Sequence, residues 1–108
     1  MYAFVYITTS GEEESKKIGQ KLVAEKLAAC INIIPTIESI YLWKGEIEKD
    51  KESLIIAKTK EENIDKIIKR VKVIHSYETP AILAIPIIDG SKGYLDYLDS
   101  ELDNKKSN

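Results

Sequence analysis

Apolar and polar positions alternate in two rhythms along this chain, and each change of rhythm marks an element. Tyr2 to Thr9 is β-branched and aromatic with no turn residue inside, which predicts a strand stopped by Ser10-Gly11. Ser10 and Glu13 have the spacing of a capping box. Ile18, Leu22, Val23 and Leu27 then recur at helical spacing, predicting a helix that ends near Ala28-Ala29. From Cys30 to about Glu48 the pattern is extended. Pro35 cannot donate to a ladder, so it marks an edge or a bulge. Beyond it Ile37, Ser39, Tyr41 and Trp43 fall on one face, with Ile40 and Leu42 on the other. Lys49-Asp50-Lys51 reads as a polar turn returning into a strand over Ser53 to Thr59, so the two strands form a long β-hairpin.

The segment Glu61 to His75 carries the clearest helical period, with Ile64, Ile67, Ile68, Val71 and Ile74 on one stripe and lysines between them. Tyr77 to Pro80 reads as a loop. Ala81 to Ile88 reads as a strand in which Pro86 favours an edge position. Ser91 can cap a short last helix carrying Tyr94, Leu95, Leu98 and Leu102. A strand-helix-strand crossover used twice predicts an α+β, ferredoxin-like split βαβ sandwich: a four-stranded antiparallel sheet with two helices on one face. One domain is expected over residues 1–102, with a flexible tail at 103–108.

Composition narrows the function classes. The chain has 108 residues, 44% hydrophobic and 31% charged, enough for one core without disulfides or a structural metal. Net charge is −2 with both signs interspersed, and nothing marks the basic face that nucleic-acid binding needs. One cysteine forms no intrachain disulfide, which suits a reducing compartment. The N-terminus lacks a basic start and a cleavage site, and no apolar run approaches the ~20 residues of a membrane span. The expected location is the cytoplasm. Basic residues are almost all Lys and Ile is the favoured apolar type, which fits a heat-adapted source and equally an AT-rich genome.

Strand length predicts self-association. About 15 extended residues span roughly 50 Å, whereas a compact domain of this length has a diameter of about 34 Å. The hairpin must bend at Pro35, overhang the domain, or both. An overhanging hairpin carrying Tyr41, Leu42 and Trp43 leaves rings and an open edge to be covered by another copy. The sheet face without helices would be covered the same way.

A family resemblance now becomes specific. Leu27-Ala28-Ala29-Cys30, Asn32 with Pro35, Ser39-x-Tyr41-x-Trp43-x-Gly45, Glu52, Lys58-Thr59 and His75-x-Tyr77-Glu78-x-Pro80 occur in order along nearly the whole chain. Together they resemble the CutA family of divalent-cation-tolerance proteins. The resemblance implies a ferredoxin-like fold and a tightly packed homotrimer in which long hairpins reach across to neighbours. It also implies an architecture similar to PII signalling proteins, with clefts between subunits, a role in response to metal ions, and copper binding in parts of the family.

Candidate chemistry is sparse. Cys30 and His75 are soft or borderline metal ligands, and Glu78 could add an oxygen, giving a candidate Cu(II) or Zn(II) site with no obligatory cofactor. Against this, Cys30 also reads as a small buried residue opening a core strand, and His75 as a helix-terminal group placed for the dipole. Some bacterial relatives place ligands at positions that resemble Ile7 and Ile74 here, which leaves His75 alone of that set. Lys58, Tyr77 and Glu78 form a second constellation that could line an intersubunit cleft for a small anion, with Tyr41 and Trp43 as cleft walls or interface anchors. Gly45 permits a bulge or a close backbone approach. Glu12, Glu13 and Glu14 suit a helix start, and Glu46 to Glu52 read as a solvated hairpin tip. Acylphosphatases share the topology but need an arginine-bearing anion cradle after the first strand. That loop here is Thr8-Thr9-Ser10-Gly11, and the only arginine is Arg70. RNA-recognition domains stack bases on strand aromatics, and Ser53 to Thr59 has none. No local spacing indicates a catalytic triad. The sequence therefore points to a non-enzymatic binding or signalling module. Its partner is itself, with a small-molecule or protein partner in addition. The competing readings are metal response, PII-like sensing of an anionic metabolite, and a structural scaffold.

Overall fold

The computed structural model describes residues 1–103. Its elements are β1 (Tyr2–Thr9), α1 (Glu12–Ala24), β2 (Cys30–Trp43), β3 (Glu46–Lys60), α2 (Ile64–Ile74), β4 (Ile82–Ile87) and α3 (Lys92–Asp103), with a 3-10 turn at Glu61–Asn63 leading into α2. The strands pair in the order β2-β3-β1-β4, and every neighbour is antiparallel. This is the expected split βαβ sandwich. β2 and β4 are its two edges, which suits Pro35 and Pro86. No helix among the described residues is long and apolar enough to cross a membrane.

The core lies on one face of the sheet. Val5, Ile7, Ile55 and Ala57 alternate inward from the two central strands and meet Ile18 and Leu22 of α1 and Ile67 and Val71 of α2. Burying each of the larger side chains contributes about 1.5–3 kcal/mol. Polar contacts knit the end of this face. Thr9 and Ser15 share a hydroxyl contact of 2.7 Å, Ser15 donates to Ser53, and Ser53 donates to the carbonyl of Ile34. Strands β1, β2 and β3 and helix α1 are joined through these three small hydroxyls.

Helix α3 takes the opposite face, where a bare sheet was expected. Leu98 and Leu102 are buried there with Ala29, against Tyr2. Lys60 reaches Asp99 at 3.1 Å and Asp103 at 3.3 Å, and the Tyr2 hydroxyl donates to Asp99 at 2.8 Å. These contacts cover only one end of the face. Ile34, Leu83 and Ile85 remain exposed on the rest of it. Asp103 closes α3; the rest of the expected tail, 104–108, lies outside the described residues.

Three local expectations are corrected. Helix α1 ends at Ala24, because Lys26 adopts a left-handed φ of 60°. Its N–H bonds Val23 and the next N–H bonds Leu22, a Schellman closure at a position that glycine usually takes. The capping contact is made by Glu14 rather than Glu13: Glu14 accepts from both the backbone and hydroxyl of Ser10. The hairpin turns at Lys44-Gly45, not at Lys49-Asp50-Lys51. Both turn residues have positive φ, 52° and 83°, the backbone of a tight type I′ turn, so Gly45 is a turn residue and not a bulge. Lys49, Asp50 and Lys51 pair with Ile40, Ser39 and Glu38, and their polarity reflects exposure of the strand.

The hairpin therefore becomes an arm. Only Ser53 to Lys60 of β3 pairs with β1, so Glu46 to Glu52 and their partners on β2 extend past the body. Seven residues of strand are about 23 Å long. The chain measures 50 × 27 × 22 Å, and its radius of gyration of 14.8 Å exceeds the ~13 Å of a compact chain of this length. The arm departs where the ladder breaks between Ile34 and Ile37, at Pro35-Thr36.

Candidate functional site

His75 follows the last turn of α2, and its side chain is fully buried. The carbonyl oxygen of Thr8 can only accept, so Nε2–H donates to it, at 2.8 Å. The backbone N–H of Tyr77 can only donate, so Nδ1 accepts from it, at 3.0 Å. Both ring nitrogens are thereby held by backbone, in the Nε2–H tautomer. From sequence alone His75 reads as a candidate metal ligand or a helix-terminal group; in the fold its ring ties β1 to the loop after α2.

Glu14 approaches from α1, 3.7 Å from Nδ1. It accepts from the N–H and hydroxyl of Ser76 at 2.7 and 2.9 Å, in addition to Ser10. Partial burial works to raise its carboxyl, but the bonds from Ser10 and Ser76 outweigh this and hold it at about 2. Helix-dipole complementarity alone does not account for such a residue. Tyr77 packs its ring against His75, with centroids 4.7 Å apart, and donates its hydroxyl to Glu52 at 2.6 Å. The other oxygen of Glu52 accepts from Ser39 at 2.6 Å. Burial and the Glu52 carboxylate together push the Tyr77 phenol far up. Glu52 is thus a bonded residue at the root of the arm and not part of a solvated tip. Only a spacing in three dimensions joins it to Tyr77, 25 positions away.

Cys30 opens β2 on the other side of the sheet, opposite Lys58 of β3. Tyr94 of α3 lies over both. The Lys58 ammonium is 5.3 Å from the Tyr94 ring centroid, and partial burial together with the Cys30 thiol pushes the Tyr94 phenol up to about 12. Tyr94 escaped the sequence reading because it served there only as a helix-face residue. Lys58 lies six residues along β3 from Glu52, about 20 Å of strand, so one chain does not bring it to Tyr77. Glu78 is exposed at the loop surface beside Tyr77, with no bond to His75. Tyr41 donates to Asp50 across the arm, which raises its phenol to about 12, and Trp43 stands 59% exposed near the arm's turn.

Cys30, His75 and Glu78 are not gathered into one site. Among the described residues no group of three or more His, Cys, Asp or Glu is placed to hold a metal ion. A resident metal centre within one protomer does not fit the donor set, since the imidazole lone pair already accepts a backbone hydrogen bond.

The fold and these contacts define a class: a small split βαβ sandwich extended by a β-hairpin arm and braced by side chains at the arm's root. The chain belongs to the CutA1 divalent ion tolerance protein family, whose model matches residues 3–101. It is 45% identical over 98 residues to the divalent-cation tolerance protein CutA of Thermus thermophilus, covering 91% of this chain and 95% of that one. It is 43% identical over 94 residues, 87% of this chain, to the chloroplastic CutA 1 of Oryza sativa. The chain spans about half the length of the curated plant relatives it matches, 53% of the rice protein and 55% of the Arabidopsis thaliana one. Among solved structures, the periplasmic divalent cation tolerance protein CutA of Archaeoglobus fulgidus superposes with a TM-score of 0.91. Its identity is 43%, over 94% of this chain and 99% of that one. The solved Thermus thermophilus protein gives 0.88 at 45%, over 91% and 95%.

Proposed function

We propose that this chain serves the divalent-cation response of its family as a non-enzymatic homotrimer in the cytoplasm, with cation contacts made between protomers. The observation that carries the assembly is the arm. Ile40, Leu42, Trp43 and Ile47 are each 59–72% exposed on a two-stranded ribbon, a structure of marginal stability in water unless something covers it. Two open edges, β2 and β4, lie at opposite ends of one sheet. Pairing of one copy's β2 edge with another's β4 edge is a head-to-tail contact, the kind that closes into a ring. Ile34 on the β2 edge and Leu83 and Ile85 on the β4 edge are exposed apolar residues on the same sheet face, and they support the same reading. Family membership supports the cation role. His75, with both nitrogens bonded to backbone, supports placing the ion outside the single protomer.

Light scattering at micromolar concentration tests the assembly. About three times the 12.2 kDa chain mass is expected, with Trp43→Ala weakening association; a single-chain mass refutes it. Calorimetric titration of chelator-stripped protein with Cu(II) or Zn(II) tests the cation role. A saturable isotherm at a simple ratio per trimer is expected to persist in His75→Ala, and no saturable binding refutes the role.

A second reading is a PII-like cleft for a small anionic metabolite. The observation that favours it is the Lys58 ammonium, which rests on the Tyr94 ring beside an uncovered stretch of sheet. A melting-temperature rise with such an anion, lost in Lys58→Ala, supports it.

A further inference from the structure

We propose that Tyr77 is a positioning residue: through Glu52 and Ser39 it fixes the direction in which the arm leaves the body. The need for such a brace follows from the ladder. Between Ile34 and Ile37 the pairing of β2 with β3 shifts register. A shifted register leaves backbone groups without their ladder partners and bends the strand, so it is the natural hinge of the arm. The Ile34 carbonyl at this break is taken by the Ser53 hydroxyl, which holds the body side.

The arm side begins with the Ile37–Glu52 pair, the first rung beyond the break. Here the Tyr77 hydroxyl bonds Glu52, and Glu52 bonds Ser39 on the opposite strand. One carboxylate therefore receives a donor from the body and a donor from the arm. Tyr77 can act as a fixed point because it is itself held. Its N–H is bonded to His75 Nδ1, its ring packs on the imidazole, and the imidazole is bonded to Thr8 of β1. Ser76 beside it is anchored to Glu14 of α1. A continuous path of contacts runs from the central strand, across the hinge, to both strands of the arm. The Tyr41–Asp50 bond, by contrast, lies wholly within the arm and cannot set its direction.

The consequence is that the arm meets a neighbouring copy already oriented, which lowers the ordering cost of association. That consequence rests on the assembly proposed above; the positioning itself does not.

Hydrogen exchange on the full chain, at fixed protomer concentration, tests this. In Tyr77→Phe the amides of residues 37–39 and 50–52 are expected to exchange about tenfold faster, the size of one hydrogen bond to a carboxylate. Residues 55–57, in the body strand, are expected to be unchanged. Glu52→Ala, which removes both acceptor oxygens, should reproduce the effect, and the double variant should add little to either. Unchanged exchange in the arm, an equal rise in residues 55–57, or additive effects of the two substitutions would each overturn the proposal. A parent of single-chain mass would instead remove the assembly reading, and the exchange pattern would still decide the brace.

Discussion

Replacing Glu14 by Gln probes the junction of α1, β1 and the loop after α2 with a sign that can be worked out in advance. The folded carboxyl sits at about 2, against an ordinary value of 4.5. Folding therefore favours the charged form, and the stabilisation is complete above pH 4.5 and lost as pH falls toward 2. Between pH 7 and pH 3 the shift corresponds to a loss of about 2 kcal/mol. With the carboxylate 13% exposed, solvent screening trims this to roughly 1.5 kcal/mol. The glutamine keeps the shape and one acceptor oxygen but sets an amide N–H₂ against the donors of Ser10 and Ser76. At pH 7 Glu14→Gln should be the less stable protein. On acidification only the parent loses the Glu14 contribution, so the gap should narrow by about 1.5 kcal/mol by pH 3. The other carboxylates titrate in both proteins and cancel in the difference. Urea unfolding followed by circular dichroism, at one protomer concentration, measures the gap at each pH. A gap that stays constant from pH 7 to pH 3 would refute the assigned role of the Ser10 and Ser76 bonds.

Two further substitutions separate body from arm. Ile55→Ala empties a fully buried site at the centre of the core and should cost about 2–5 kcal/mol in urea unfolding; a cost below that of an exposed site would mean the core is misplaced. Gly45→Ala puts a Cβ at φ +83°, where no neighbouring atom lies within 4 Å, so its cost of about 1 kcal/mol should come from backbone strain alone. It should appear as faster hydrogen exchange at the arm's turn, with exchange in β1 unchanged.

The periodic signals in the sequence determined the element order, the sheet topology that follows from two crossovers, and the existence of an overlong hairpin. These are local or nearly local properties. Alternation and helical spacing state which face of an element is apolar, and chain length states how far a strand reaches. What was not legible were features that depend on a residue taking an unexpected backbone conformation. Lys26 closes α1 in a left-handed geometry without a glycine to announce it. The polar run Lys49-Asp50-Lys51 resembles a turn because an exposed strand and a turn are both hydrophilic, and only the register set by Lys44-Gly45 tells them apart.

The site was decided by tertiary structure for a different reason. A hydrogen-bonding side chain has the same letter whether its partner is solvent, metal or backbone. His75 was visible as a candidate ligand, yet its meaning lies in Thr8 and Tyr77, which fill both nitrogens. Glu52 was one acid in a charged stretch until folding set it beneath Tyr77 and Ser39. Cys30 and Lys58 came together with Tyr94 only because α3 folds back over the second sheet face. The sequence by itself determined which surfaces must be buried, since burial depends on residue type and period. Which polar groups hold one another was settled only in the folded chain, because the bonds of His75 to Thr8, Ser76 to Glu14 and Tyr77 to Glu52 join distant positions that no periodicity links.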